Sequence, residues 1–254
     1  MRQKVHDFAY LEMHKLEETY WWHVSRRRII EAAIQRFFPK RPLQILEAGC
    51  GTGGNLSMLS RHGNGVAIES NPIALSFAVN KGKGSFEIRQ GALPDSLNVK
   101  AHEKFDLICL FDVLEHIERD IDSLKRLRLN LAPDGAVLLT VPAFQWLWSS
   151  HDDFNQHIRR YTKTQLKSKA KSAGFKVTYM SYFNFLLFGL ALFQRKVTAR
   201  NLHDSLPKLP EVGPHTNNVL KFVFGLESKL IKFFNFPFGL SVIAILRPTP
   251  NNSR

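Results

Sequence analysis

Cysteine is nearly absent: the 254 residues hold only Cys50 and Cys109. Two thiols build neither a disulfide framework nor a multi-cysteine zinc knuckle. Both fall in apolar segments that read as separate buried strands, so reduced structural thiols in a reducing compartment are expected. Long hydrophobic runs are missing too. The longest, FNFLLFGLALF (Phe183 to Phe193), falls short of the ~20 residues that cross a bilayer, which leaves a buried helix or a surface anchor. The opening MRQKVHDFAYLEMHK has no continuous apolar core followed by a small-residue cleavage site, so no secretory signal is expected. Acidic residues are scarce, with 22 Asp and Glu against 35 Lys and Arg. The resulting charge of +13 attracts anions, whether nucleic acid, an anionic membrane surface or a phosphorylated substrate, and does not rank the three.

What is present is enough apolar residue, 44%, for one substantial core with decorations. Residues 10–38 read as helical, with Pro39 and Pro42 closing the segment. From Leu43 the texture changes to short apolar runs, LQILEA, GVAIE, SFEIR, FDLICLF and GAVLLTV, separated by helical stretches. That alternation predicts a parallel sheet buried on both faces in an open, doubly wound α/β fold. A helix over Thr164 to Ala173 ended by Gly174, a strand at FKVTYMSYF, a Lys/Phe-rich helix near Val219 to Phe234 and a last strand at GLSVIAILRP complete the reading. The Pro-containing stretch ARNLHDSLPKLPEVGPHTNN reads as a long surface loop. The division expected is a helical cap over 1–42, a cofactor-binding core over 43–180, and C-terminal helices and strands over 181–254 that complete the same domain.

ILEAGCGTGGN, Ile45 to Asn55, admits two loops: G-x-G-x-G through Gly49, Gly51 and Gly53, or the dinucleotide fingerprint through Gly49, Gly51 and Gly54. A side chain at Gly49 or Gly51 is expected to fill ligand space or forbid the backbone angles. Glu69 ends the second strand, 20 residues after Gly49, where a carboxylate accepts both hydroxyls of an adenosine ribose. That holds for NAD and for S-adenosylmethionine alike. Glu47 discriminates: a carboxylate beneath the loop repels a pyrophosphate and attracts the ammonium and sulfonium of S-adenosylmethionine.

With these motifs in order, the chain resembles the class I S-adenosylmethionine-dependent methyltransferases. ILEAGCGTGGN stands as their first motif, VAIES as the second, FDLICLFDVLEHI as the fourth-strand motif and LAPDGAVLLTVPA as the fifth, over residues 43–143. The flanks EETYWWHVSRRRI and WLWSSHDDFNQHIRRYT are similar to a bacterial type 11/12-like subgroup often associated with cell-envelope glycan or glycolipid loci. The resemblance implies S-adenosyl-L-methionine as cofactor. It also implies a Rossmann-like, mostly parallel seven-stranded sheet with an N-terminal helical lid and C-terminal helical additions. Carried onto this chain, the cofactor contacts are Glu47, Gly49, Gly51, Gly53, Glu69, Ser70, Ala92, Leu93 and Asp112. One departure stands out: where many relatives place an acidic residue after the third strand, this chain has Gly91, Ala92 and Leu93, leaving Asp95 or backbone groups for the adenine.

Methyl transfer to an alcohol or phenol needs alignment with the donor and a group that removes the proton. Asp112, at the end of the fourth strand, is a candidate for the donor pocket or a cap for the next helix; His116 is the candidate base or a hydrogen-bond partner within the turn. Trp148, His151, His157, Arg160 and Tyr161 interleave aromatics with charges, as acceptor recognition or a packed loop would. His151, Asp152 and His157 match no strong metal-site spacing, and no metal is expected. Trp21 and Trp22 point about 100° apart on a helix, so one packs inward and Trp22 is the candidate ligand contact. Arg26 to Arg28 read as a wet face or a phosphate clamp, with Arg26 the candidate contact. The acceptor expected is a small molecule or a lipid-linked saccharide, handled in the cytoplasm or at the inner face of its membrane; the helix with Lys221, Lys229 and Lys232 either packs on the core or, with FNFLLFGLALF, docks on lipid. A nucleic-acid methyltransferase is the alternative from charge, disfavoured by the lack of an RNA-binding module. A cofactor-binding homologue without activity and a nicotinamide dehydrogenase complete the readings. Oligomeric state is not legible.

Overall fold

The computed structural model describes residues 2–198 and 212–250. Most of the expected surface loop at Ala199 to Asn218 lies outside them. Two helices, α1 (Arg2–Leu16) and α2 (Trp21–Phe37), precede the sheet. The single helical stretch expected over 10–38 is therefore broken, at Glu17 to Tyr20. Then follow β1 (Leu43–Ala48), α3 (Leu56–Leu59), β2 (Gly63–Glu69), α4 (Pro72–Gly82), β3 (Phe86–Gln90), β4 (Phe105–Phe111), α5 (Asp120–Arg128) and β5 (Leu131–Pro142). The chain continues through α6 (Ser150–Phe154), α7 (Lys163–Ser172), β6 (Phe175–Phe183), α8 (Phe188–Thr198), α9 (Pro214–Leu230) and β7 (Ser241–Pro248).

The seven strands form one sheet in the order β3-β2-β1-β4-β5-β7-β6. β1 pairs in parallel with β2 and β4, and β4 with β5, while β7 runs antiparallel between β5 and β6. β6 consequently points the same way as β5. The carboxyl ends of β1, β2, β4, β5 and β6 share one edge, which is where an open α/β sheet offers its ligand crevice.

Central strands read as unbroken apolar runs because helices cover both faces. Ile45, Leu46, Leu107 to Leu110 and Val137 to Leu139 are all buried, as is Val242 to Leu246 in β7. Cys109 sits in β4, and Cys50 in the loop just past β1 rather than in a strand; both are free and buried. At α4 the Asn71 side chain accepts from the backbone N–H of Ile73 and Ala74, and at α7 Thr162 and Gln165 form a capping box, which fixes where these helices begin.

The Lys/Phe-rich helix packs on the protein. Trp21 N–H donates to Asn217 Oδ1 at 2.8 Å, Ser25 Oγ to the Lys221 carbonyl at 3.1 Å, and Arg36 Nη1 to the Ile231 carbonyl at 2.7 Å, tying α9 along α2. Glu227 on its inner face is wholly buried and accepts from the backbone N–H of Asn184 and Leu186, which pins the exit of β6. No helix among the described residues is long and apolar enough to cross a membrane.

Candidate active site

After β1 the backbone turns through Gly49, Gly51 and Gly53 at φ of 79°, 57° and 82°, the left-handed region that strains other residues. A Cβ at Gly49 would lie 2.6 Å from Val113 Cγ2, and one at Gly53 would meet Ala78 Cα at 3.0 Å. Glycine at 49 thus serves the backbone angle, one of the two reasons the sequence offered, and close packing on the protein's own β4 exit. At Gly51 the nearest atom, Met13 Sδ of α1, stands 3.6 Å away. Gly54, the third glycine of the dinucleotide fingerprint, faces the Glu17 carboxylate, which a Cβ would strike. The next helix, α3, is one turn long, and Asn55 gives its side chain to Glu47 Oε1 at 2.8 Å instead of capping it. So short a helix offers little dipole to a phosphate.

The two acidic strand ends differ. Glu69 Oε2 accepts Gly51 N–H at 2.9 Å, and its Oε1 accepts Ser70 N–H and Asn71 N–H at 2.8 Å each. This carboxylate shapes the glycine loop and the β2–α4 turn together. Glu47 is as deeply buried, yet its Oε2 has no hydrogen-bond partner. Burial pushes its pKa up to about 8, against the pull of the Asn55 hydrogen bond and the Arg26 charge. An ammonium group would satisfy that orphaned oxygen and restore the charge. The site therefore fits the cationic amino-acid end of S-adenosylmethionine.

Asp112 ends β4 at φ 57° and does not cap the following turn. Instead Arg26 Nη2 of α2 lies 2.5 Å from its Oδ2, while Thr140 Oγ1 of β5 donates to its Oδ1 at 3.2 Å. Arg26 Nη2 also reaches Thr140 Oγ1 at 3.3 Å, and the guanidinium stands 5.0 Å above the Trp22 ring. Arg26 is buried, so the solvated-face reading fails for it; Arg28 is the exposed member of the run. Trp21 turns the other way, edge-on to Phe224 of α9 at 5.7 Å. His23, beside Trp22, has an unpartnered buried Nε2; burial first, then Arg26 and Arg27, bring its pKa down to about 3.

Sequence reasoning foresaw a helical lid but not its contacts. Glu17, at the end of α1, is buried, accepts Thr52 Oγ1 of the glycine loop at 2.7 Å and pairs with Lys81 of α4. His14 stacks on Phe77 at 3.9 Å. α1 is thereby clamped over the loop by side chains from three elements. Nothing local in the sequence names Thr52 or Lys81 as partners of Glu17.

After β3 the expected adenine wall is a tight turn. Ala92 and Ser96 exchange both backbone hydrogen bonds, Leu93 packs on the core, and Asp95 is held by Arg119 Nη1 at 2.8 Å. Ser70 is exposed beside Glu69.

The loop after β5 departs most from expectation. Asp152 is fully buried and accepts Arg160 Nε at 2.7 Å, Arg160 Nη2 at 2.9 Å, His157 Nδ1 at 2.8 Å and Ser149 N–H at 2.8 Å. Burial alone would raise its pKa, but the His157 and Arg160 hydrogen bonds hold it below the ordinary carboxylate range. Arg160 Nη1 also donates to the Ala143 carbonyl at 3.1 Å, so the guanidinium braces the loop. Tyr161 is buried, its hydroxyl donating to Asp120 Oδ2 at 2.9 Å and the Leu114 carbonyl at 3.2 Å. Of the two roles open to Arg160 and Tyr161, acceptor recognition or loop packing, these contacts are those of packing: Arg160 binds Asp152 of its own loop and Tyr161 binds Asp120 at the start of α5. Trp148 gives its indole N–H to Asp153 at 2.9 Å, and the exposed His151 pairs with Asn155 at 2.9 Å. His116, exposed on the 3-10 turn Leu114–His116, lies edge-on to His157 with ring centres 4.8 Å apart. Glu115, between Asp112 and His116, is wholly buried.

Comparison with known proteins agrees with this geometry. A structure of the complex between the Haloferax volcanii Trm112 methyltransferase activator and a methyltransferase is similar at 13% identity, with a TM-score of 0.65 over 100% of both chains. A Thermotoga maritima S-adenosylmethionine-dependent methyltransferase matches at 15% identity and TM-score 0.58, covering 96% of this chain and 100% of its own. The magnesium protoporphyrin IX methyltransferase of Synechocystis PCC 6803, with bound S-adenosylhomocysteine, matches at 12% and 0.53, covering 89% and 85%. At such identities the likeness is one of fold. No curated protein sequence matches. The methyltransferase-domain model matches residues 21–180, well over half of the chain, so the chain belongs to that family: it is a class I S-adenosylmethionine-dependent methyltransferase.

Proposed function

We propose that the acceptor is a hydroxyl of a saccharide, carried on a small molecule or a lipid, and that the enzyme works at an anionic membrane surface facing the cytoplasm. One observation supports this reading above others: an exposed aromatic band on the cofactor edge of the sheet. It begins at Trp146 in the loop after β5, passes to Phe188 at 6.3 Å between ring centres, then to Phe238 at 5.1 Å and Phe185 at 4.6 Å. Leu186, Leu190 and Phe193 extend it along α8, with Phe193 68% exposed. A patch of that kind on a chain of charge +13 suits an interface of acyl chains and anionic head groups.

Within this reading S-adenosylmethionine supplies an electrophilic methyl group when bound. Glu47 holds its ammonium, Glu69 with Ser70 its ribose, Gly49, Gly51 and Gly53 the close backbone, Ala92 and Leu93 the adenine side, and Asp112 the methionine end. Trp22, Arg26, Trp148 and His151 line the acceptor side. His116 takes the acceptor proton, and alignment supplies the rest of the rate, on the order of several kcal/mol.

The test is methyl-labelled cofactor with the full chain and lipid-linked saccharides in anionic vesicles, where label should enter the lipid fraction. Cofactor binding without label transfer to any saccharide would overturn the acceptor class and favour a non-catalytic role, and label in RNA would favour the nucleic-acid alternative. Sedimentation with vesicles should be lost at high salt, and none at low salt removes the membrane part. His116→Ala should lower turnover and spare cofactor affinity; an unchanged rate removes the base.

A further inference from the structure

A cluster beside the cofactor edge has a buried acid with nothing to bind. Glu115 is 0% exposed, and neither carboxylate oxygen has a hydrogen-bond partner. Such a group is costly unless a proton or a cation meets it. The nearest cationic candidates are imidazoles. His157 Nε2 lies 3.9 Å from Glu115 Oε1, and one ligand atom each from Glu115, His116 and His157 falls within 4.8 Å of the others.

The contacts that orient His157 are in place. His157 Nδ1 sits 2.8 Å from Asp152 Oδ1, and Asp152 is itself fixed by Arg160 and Ser149. A carboxylate on Nδ1–H sets the tautomer that leaves the Nε2 lone pair free toward Glu115, the arrangement that orients metal-bound histidines. Ile158 N–H donates to the Glu115 carbonyl at 2.9 Å, locking the two ligand-bearing segments together. His116 is exposed, so the cluster is open to solvent on its side.

We propose that Glu115, His116 and His157 form a site for a divalent transition-metal cation of the zinc and cobalt class. Two nitrogens and one carboxylate oxygen are the donor set such borderline ions take. Bonds of 2.0–2.1 Å at tetrahedral angles put ligand atoms about 3.3–3.4 Å apart, so the widest pair of the cluster closes by about 1.4 Å, a motion open to the exposed His116. This differs from the His151, Asp152 and His157 grouping weighed on sequence: Asp152 stands behind His157 as its orienting partner, and His151 turns to Asn155. Three protein ligands leave a position for an acceptor oxygen, whose proton the ion would make easier to remove. That last role rests on the methyl-transfer reading and, with the ion bound, replaces His116 as the base; the cation site itself does not rest on it.

The experiment is Co²⁺ titration of the full chain after chelator treatment, without cofactor, followed by visible d–d absorption. One equivalent should bind with tetrahedral-type bands that Zn²⁺ bleaches. His116→Ala, on an exposed turn, should keep the wild-type circular dichroism and weaken Co²⁺ binding at least tenfold, as should Glu115→Gln, whereas His102→Ala on a remote exposed loop should change nothing. Absence of bands in the wild type, or wild-type Co²⁺ affinity in folded His116→Ala, overturns the site. S-adenosylmethionine affinity, measured by calorimetry on the same samples, tests the methyltransferase reading separately.

Discussion

The tips of β1 and β2 carry equally buried carboxylates a few residues from the same glycine loop, and they are used in opposite ways. Glu69 is held by three backbone N–H groups, so its charge is compensated and its geometry fixed, while Oε2, with one donor, keeps a lone pair for a ribose hydroxyl. Glu47 has one side-chain donor and an empty oxygen, so burial pushes it toward the neutral acid. A carboxylate bonded on both oxygens holds a loop in shape. One that is half bonded in a dry place holds a latent charge for a cation. The contrast repeats between the loops after β5 and β4, where Asp152 is bonded on both oxygens and Glu115 on neither.

Substituting each tip should separate the two uses. The largest effect is expected for Glu69→Ala, which strips three backbone N–H groups of their acceptor: about 2–4 kcal/mol of unfolding free energy, with cofactor affinity lost alongside, read by denaturant melts and calorimetry. Glu47→Gln should weaken S-adenosylmethionine by roughly 10- to 100-fold, the worth of one charge-assisted hydrogen bond, while leaving thermal stability unchanged or raised. If Glu47→Gln destabilises the chain as Glu69→Ala does, the distinction is lost. Proton linkage gives a third, intermediate signal. A pKa raised from 4.5 to about 8 means that the folded state holds a proton the unfolded chain releases. Glu47's contribution to stability is therefore full below 4.5 and declines as pH rises toward 8, a slope that Glu47→Gln should flatten. Cofactor affinity should run the other way, rising up to about 8, with proton release seen as buffer-dependent binding heat. Smallest is Asn55→Ala. Removing the donor to Glu47 should move its titration further up and reduce affinity about threefold near neutral pH.

Much of this was legible in the chain. Strand positions followed from apolar runs that helices on both faces require, and the glycine loop from a spacing whose left-handed angles only Gly49, Gly51 and Gly53 adopt. Glu47 was legible because charge beneath the loop is a local argument. The lid was half legible: helicity is encoded nearby, whereas the Glu17–Thr52 contact joins residues whose approach nothing local signals. For Arg160 and Tyr161 the sequence left acceptor recognition and loop packing open, because residue type suits both; the contact of Tyr161 with Asp120, 41 residues away, is one that nothing local signals. The Arg26–Asp112 pair, bridging α2 and β4, likewise needed three dimensions.

β7 has a consequence for how the chain is made. It lies between β5 and β6 with both edges hydrogen-bonded, and its residues 241–248 leave the ribosome about a hundred residues after β5. Until it arrives, β5 and β6 each expose an apolar edge with nothing to bond, so synthesis passes through a sticky nascent stage that a chaperone would shelter.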